Sequence, residues 1–347
     1  MRVWIDTLTP KQVLFFKPVA EGLEEAGHEV LATSRHYREV EELSALVGFD
    51  LEFVGSRGGK DPREQLEMSL ERTQQLVPKV AGFAPDLAIS VASADCARIS
   101  FGLRVKHLAV NDSPHSVVAG RLSLPLSNRL LCPWIIPYSA WSVFGLTRTQ
   151  ITRYRALDPA AWLKRAKPAP KPGGGRPTIL VRLEESYAPY MAGSDASWPG
   201  RVLETIARDF ADCNLVALCR YEDQLKGVKE RFGSAYSVPE RVVDGMGIIA
   251  GADVFVGMGG TMTAEAALMG VPAISAFQGA ELYTEKYLVS KALLLRATSA
   301  GTLPRLIRRA LQPRYASSCR TRAAAVLGRM EDPAARIVSV AESLAKA

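Results

Sequence analysis

Short apolar runs recur along the first half of the chain and alternate with longer amphipathic ones. "RVWID" (2–6), "EVLATS" (29–34), "LEFVG" (51–55), "DLAISV" (86–91) and "KHLAV" (106–110) each have the length and content of a buried strand. Between the first two, Val13, Phe16, Ala20 and Leu23 fall near helical spacing within residues 12–27, and Gly27 ends the run. Residues 37–47 form a second helical run that stops at Gly48. Residues 62–82 form a longer one after the polar loop "SRGGKDP" (56–62). Strand and helix in strict alternation predict a parallel sheet covered by helices on both faces, joined by right-handed crossovers.

The pattern breaks at 164–177, "KRAKPAPKPGGGRP", where Pro, Gly and Lys leave nothing to pack and an interdomain linker is expected. It then restarts. "TILVRL", "NLVALC", "ADVFVGM" and "PAISAF" read as strands, 199–211 and 221–232 as helices, and Asp244 as the cap of a further short helix. Beyond residue 302 the pattern is helical throughout. The expected organisation is an α/β domain at 1–163, the linker at 164–177, a second α/β domain at 178–301 and C-terminal helices at 302–347. Each α/β domain is expected to be a doubly wound, Rossmann-like parallel sheet, the two facing each other across a cleft.

Composition narrows the function classes. The chain has 347 residues, 48% hydrophobic and 23% charged, with a formal net charge of +7. The basic balance suits an anionic ligand or surface, but no nucleic-acid motif accompanies it. Five scattered cysteines without C-x-x-C, and four histidines, speak against a zinc site or a disulfide framework. No long uncharged apolar run reads as a spanning helix, and the N-terminus reads as a strand rather than a leader, so a cytoplasmic location is expected. The Leu-, Trp- and Pro-rich segment 121–146 reads as core, with polar breaks at Ser127–Arg129 fitting a one-faced helix. A peripheral contact with a membrane or lipid acceptor is the alternative.

The stretch most loaded with chemistry is "GMGGTMTAEAALMGVPAIS" (257–275). It follows a buried strand and opens a helix. A helix N-terminus at that place presents unpaired N–H groups and a partial positive charge, and Gly259 and Gly260 let an anion approach the backbone. No Lys follows the glycines, which excludes the Walker loop, and Met262 stands where the dinucleotide fingerprint needs its third glycine. Glu265 lies one turn into the helix. It either meets a ribose diol or merely complements the helix dipole. Thr261 or Thr263 is the expected helix cap.

These residues carry a resemblance. "VWIDTLTPKQVLFF", "AGHEVLATSR", "NDSPHS" with "RLSLPL", "LVRLEESYAPY" and "DGMGIIAGADVFVGMGGTMTAEAALMGVPAIS" resemble, over nearly the whole chain, domain-of-unknown-function family 354, GT-B-like proteins of prokaryotes and mainly archaea. The glycine stretch also looks like the nucleotide-binding segment of the peptidoglycan N-acetylglucosaminyl transferase and of the UDP-GlcNAc 2-epimerases. The resemblance implies a GT-B-like fold. It implies diphosphate contacts from Gly259, Gly260, Thr261 and Met262, and a ribose contact from Glu265. It further places 238–246 near the nucleobase through the backbone of Val242 or Val243, and gives Arg182 a phosphate contact or, alternatively, an interdomain salt bridge.

On the acceptor side, Thr7 and Gln12 belong to a loop in which the family often has His, and here reads Lys11–Gln12–Val13. Asp112 and His115, in "NDSPH", are the expected catalytic pair, since His suits base work near neutral pH. His28 is expected to be structural, and His36 and His107 to have surface or packing roles. No D-x-D occurs, so no metal and no cofactor are expected. The reading is a metal-independent glycosyltransferase taking a nucleoside-diphosphate sugar, UDP-linked by preference, with a lipid-linked or glycan acceptor. The alternatives are a sugar-nucleotide 2-epimerase, of whose "H-x-E-A-G-x-R" pattern only Ala119–Gly120–Arg121 is present, and a non-catalytic nucleotide-sugar-binding protein.

Overall fold

The structure is a computed structural model, and it describes residues 1–59, 61–166, 175–184 and 195–346. Most of the linker (167–174) and part of the "LVRLEESYAPY" motif (185–190) lie outside the described residues.

The first unit runs β1 (Arg2–Thr7), α1 (Pro10–Glu25), β2 (Glu29–His36), α2 (Arg38–Val47), β3 (Glu52–Ser56), α3 (Pro62–Phe83), β4 (Leu87–Ser90), α4 (Ala94–Leu103), β5 (Lys106–Val110), α5 (Val117–Ser123), β6 (Arg129–Pro133), α6 (Ser139–Ser142), β7 (Ile151–Tyr154) and α7 (Ala160–Leu163). Its strands form one parallel sheet in the order β3-β2-β1-β4-β5-β6-β7. Winding reverses between β1 and β4, the switch point at which open α/β sheets take their ligands. Trp4, Val54, Leu76, Val80, Ala88, Cys96 and Ile99 fill the core beneath one face of the sheet.

The second unit runs β8 (Thr178–Arg182), α8 (Trp198–Asp209), β9 (Asn214–Leu218), α9 (Glu222–Phe232), α10 (Gly245–Gly251), β10 (Val254–Gly257), α11 (Thr261–Leu268), β11 (Ala273–Ser275), α12 (Tyr283–Ser290), β12 (Leu294–Arg296), α13 (Leu303–Ala310) and α14 (Pro313–Gly328). Its parallel sheet has the order β12-β11-β10-β8-β9, with the switch point between β8 and β10. Asp244 caps α10 by accepting from the Met246 N–H at 3.1 Å, as the sequence suggests.

Two sequence expectations are corrected. Segment 121–146 is not one helix: β6 emerges at Arg129, directly after the polar break, and Leu130, Leu131 and Cys132 are fully buried. Leu130 and Cys132 belong with Trp141 and Phe144 to a core cluster. Likewise, residues 302–347 do not stay together. The units comprise Met1–Lys164 with Met330–Ala347, and Arg165–Arg329. The last helix, α15 (Pro333–Lys346), returns to the first unit and buries Ile337, Val340, Ala341 and Leu344. Lys106 Nζ donates to the Leu344 carbonyl at 3.2 Å, and His28 Nε2 lies 3.0 Å from Glu342 Oε1.

Candidate functional site

In the second unit β10 ends at Gly257, whose register partner on β8 is Arg182. The Met258 N–H donates to the Arg182 carbonyl at 3.0 Å, so the glycine loop leaves the sheet at its switch point. Gly259 has φ 103°, and Gly260, which precedes α11, has φ 82° and ψ 174°. The second conformation is essentially reserved for glycine. Neither Thr261 nor Thr263 caps α11 with its side chain, contrary to expectation. The Thr263 hydroxyl is instead buried without a hydrogen-bond partner among the described residues, and a Cβ on Gly257 would fall 2.0 Å from it. Gly257 is therefore required to be glycine by Thr263, and Gly259 by its positive φ and the Phe277 ring 3.0 Å from where its Cβ would stand.

The first N–H groups of α11 lack intrahelical acceptors by construction. Thr261 and Met262, which carry them, are partly exposed, and Gly260 is exposed. Glu265 is 3% exposed, among the buried Ala264, Ala266 and Ala267. A surface Glu complementing a helix dipole would not be buried in this way. Arg182 directs Nη1 to the Cys219 carbonyl at 3.0 Å, at the end of the neighbouring strand β9. Val242 and Val243 are half-buried in the segment leading to α10.

In the first unit, the loop after β1 brings Lys11 into α1 and the loop after β5 carries Asp112. Lys11 Nζ bridges Asp112 Oδ2 at 2.6 Å and Asp158 Oδ2 at 2.7 Å. The Tyr154 hydroxyl donates to Asp158 Oδ1 at 2.5 Å, and Ser113 Oγ donates to Asp112 Oδ1 at 2.8 Å. An Asx turn, Ser113 N–H to Asn111 Oδ1 at 2.7 Å, fixes the loop. Asp112 and Lys11 side chains are each 18% exposed, while Asp158 is 1% exposed.

The charges of this group are interdependent. Burial raises Asp158, and the Asp112 carboxylate adds to it, so that it is pushed up to about 6 despite Lys11. Burial also works against the charge on Asp112, but Lys11 and the Ser113 hydroxyl outweigh it and hold Asp112 below the usual carboxylate range. Burial lowers Lys11, and the two carboxylates more than reverse this. His115 is lowered, chiefly by burial, which keeps its ring neutral at pH 7.

The expected Asp112–His115 pair is thus joined by three residues, Lys11, Asp158 and Tyr154, to which the sequence assigns no role. In the sequence Lys11 stands out only as the neighbour of Gln12, which occupies the place where the family often has His. Tyr154, the last residue of β7, and Asp158, in the turn that follows, give no signal beyond an Asp-Pro dipeptide. Gln12 and Thr7 have other roles than an open acceptor loop. Gln12 is buried, and its Oε1 accepts from the Leu8 N–H at 2.6 Å, bracing the start of α1. Thr7 is fully buried, with no hydrogen-bond partner for its hydroxyl among the described residues. His28 and His36 face Glu342 and Glu41. His107 is held between Ser90 and Ser127 at 2.9 Å each, and burial lowers it to about 4.

Comparison with known proteins agrees with this architecture. The sequence model of the family described as "Protein of unknown function (DUF354)" matches residues 1–166 and 173–344. The uncharacterised protein MJ0665 of Methanocaldococcus jannaschii is 27% identical over 300 residues, 83% of this chain and 85% of its own length. Among solved structures, MnaA of S. aureus with UDP has a TM-score of 0.78 at 13% identity, covering 99% of this chain and 96% of that one. UDP-GlcNAc 2-epimerase from Neisseria meningitidis bound to UDP-GlcNAc has a TM-score of 0.74 at 12% identity, covering 100% of both chains. The spinosyn rhamnosyltransferase SpnG complexed with thymidine diphosphate has a TM-score of 0.61 at 13% identity, covering 98% and 100%. At such identities the likeness is one of fold, and the fold is GT-B-like.

Proposed function

The chain belongs to the DUF354 family, and from that premise we propose that it is a metal-independent glycosyltransferase using a nucleoside-diphosphate sugar, with UDP as the preferred carrier. The observation that carries the reading is the β10–Gly259–Gly260–α11 junction at the switch point, with Glu265 buried one turn on. The backbone N–H groups of Gly260, Thr261 and Met262 hold the diphosphate, and Glu265 takes the ribose diol. Arg182 adds positive charge by turning from the Cys219 carbonyl. As the diphosphate leaves, its growing negative charge falls to these groups.

On the acceptor side Asp112 is the base. It takes the hydroxyl proton while the oxygen attacks the anomeric carbon and the bond to the diphosphate breaks. Lys11 and Ser113 fix its orientation, Asp158 and Tyr154 fix Lys11, and neutral His115 stands next to it as a second proton acceptor. The acceptor is a lipid-linked or glycan hydroxyl. Among the described residues no helix is long and apolar enough to cross a membrane.

Thermal melting with nucleoside diphosphates tests the donor site. UDP at about 100 times its Kd should add ~2.7 kcal/mol of stability, and Glu265→Ala should remove most of that shift. A variant that binds UDP as tightly as the parent would overturn the ribose assignment. A second reading, epimerisation at C2, draws on the higher TM-scores toward the epimerases. It requires solvent deuterium at C2 of UDP-GlcNAc after incubation in deuterated water, and an unlabelled C2 would exclude it.

A further inference from the structure

The helices of the first unit lie in two layers. The strand order puts α1 and α2 on one face of the sheet and α3, α4 and α5 on the other, because parallel crossovers are right-handed. On the second face α3 packs against α4 and α4 against α5. Buried Arg72 ties this layer to the sheet. Its Nη2 meets Asp6 Oδ1 of β1 at 2.6 Å, and its Nη1 meets Asp95 Oδ2 of α4 at 2.7 Å. Asp95 also accepts from the hydroxyls of Ser69 at 2.6 Å and Thr73 at 3.3 Å, so that flank of α3 faces α4. Leu66, Leu70 and Val77 each lie one turn from Ser69 or Thr73, on the same flank, and all three are exposed.

The apolar band continues across the next two helices. On α4, Arg98 and Phe101 stand one turn apart on the outer side, Phe101 being 65% exposed, and Leu103 and Arg104 close the helix. On α5, Gly120 faces the core, where a Cβ would meet the Phe144 ring at 2.5 Å. Val118, Arg121 and Leu122 therefore turn outward, with Val117 exposed beside them. Of the twelve large hydrophobics that stand exposed among the described residues, eight lie on this one layer. Scattered singly they would need no explanation, but gathered on one face they mark a contact surface.

The charge on this face has one sign. From Cys96 to Leu157 the sequence holds eight lysines and arginines against one carboxylate, Asp112, which Lys11 already engages. Arg98, Arg104 and Arg121 are exposed, and among the described residues their side chains make no hydrogen bond or ion pair. The acidic side chains of α3 are occupied elsewhere. Glu67 pairs with Arg63 at 2.7 Å, and Glu64 lies against Gly59. Glu71 is on the far flank, lining a groove with Phe53 and Gly55.

We infer that the α3–α4–α5 face of the first unit docks on a membrane surface that bears anionic lipids. The apolar side chains enter the headgroup layer, and Arg98, Arg104 and Arg121 meet lipid phosphates. Charge decides between the possible occupants. A second copy on a two-fold axis would set arginine against arginine. A nucleic acid would suit the cations but leave the aliphatic side chains unmatched, since its bases stack on aromatic rings. The inference goes beyond the transferase reading and does not rest on it. Joined to that reading, it favours the lipid-linked acceptor over the glycan, because α5 opens two residues beyond His115.

The experiment is flotation of the full chain with vesicles of phosphatidylcholine and phosphatidylglycerol in equal parts, against phosphatidylcholine alone. The protein should float with the anionic vesicles and be left behind by the neutral ones. Added salt should weaken this binding without abolishing it, because the apolar part is not screened. Phe101→Ser combined with Leu122→Ser should lose the binding and, both residues being exposed, keep the melting temperature. Arg98→Gln combined with Arg121→Gln should weaken it about fivefold for each charge removed. This pair decides the matter should the serine variant fail to fold. No flotation of the parent, equal flotation with both vesicles, or arginine variants that float like the parent would overturn the proposal. A parent dimer that the serine variant turns into a monomer would assign the face to a second copy instead. Duplex DNA binding lost in the arginine variant but kept in the serine variant would assign the cations to a polyanion. Both variants should keep the melting response to UDP, so failure of the donor site is read separately.

Discussion

At the carboxyl edge of its sheet the first unit buries Asp6, Arg72 and Asp95 in one hydrogen-bonded group and gathers Lys11, Asp112 and Asp158 in another. At the carboxyl end of β10 the second unit has Met258, Gly259 and Gly260 and then the backbone of α11, and the acidic side chain there, Glu265, lies a turn further in. The winding plan is the same, and the means of making a polar site are opposite. One edge uses ionised side chains, whose positions depend on partners from distant elements. The other uses backbone N–H groups, whose positions depend on the absence of Cβ atoms. The first arrangement can hold and move protons, and the second can receive a large anion without a counter-ion of its own.

Four substitutions probe that contrast. The largest effect is expected at Asp6. Asp6→Ala leaves Arg72 buried with half its counter-charge, and denaturant titration should show a loss of about 3–5 kcal/mol. A loss below 1 kcal/mol would mean that Asp95 alone satisfies Arg72.

The backbone-built edge is probed next. Gly257→Ala drives a methyl into the Thr263 hydroxyl and should cost about 1–3 kcal/mol. Adding Thr263→Ala should return most of it, and an additive double mutant would place the strain elsewhere.

The smallest effect is in pH dependence, because two groups oppose each other. Asp158 is raised to about 6, so its stabilising contribution is full below the unfolded carboxylate value of ~3.9 and is lost as pH climbs toward 6. Asp112 is lowered, so its contribution is present above that value and lost as pH falls. Asp158→Asn should abolish the decline between about pH 4 and pH 6, a slope no steeper than ~1.4 kcal/mol per pH unit, and leave the acid limb intact. An unchanged slope across that window would assign it to another group.

The two edges also differ in how far they can be read in the sequence. A glycine loop between a strand and a helix is a local pattern, and residues 257–265 fold as that pattern implies. The charged edge is assembled across the chain: Lys11 and Asp158 stand 147 positions apart and meet because α1, which carries Lys11, packs against α7, which begins just after Asp158. Asp112 was legible because it shares a short loop with His115, and Lys11 only as the neighbour of Gln12, where the family often has His. Among the strands, β6 was hidden inside a Leu-, Trp- and Pro-rich stretch in which strand and buried helix share one signature. β7 and β12, with four and three residues, are too short to show a period. The amphipathic stripe of α15 announces a buried face but not which of the two sheets it belongs to.

That last helix sets an order on how the molecule can be completed. A chain leaves the ribosome from its N-terminus, so all of Arg165–Arg329 is synthesised before Met330–Ala347, the piece that finishes the first unit. Until then the surface of α1 that α15 covers, including Gly22 against Val338, stays open. The first unit to begin synthesis is the last to close, and a chain stopped at residue 329 would carry a finished second unit on an unfinished first.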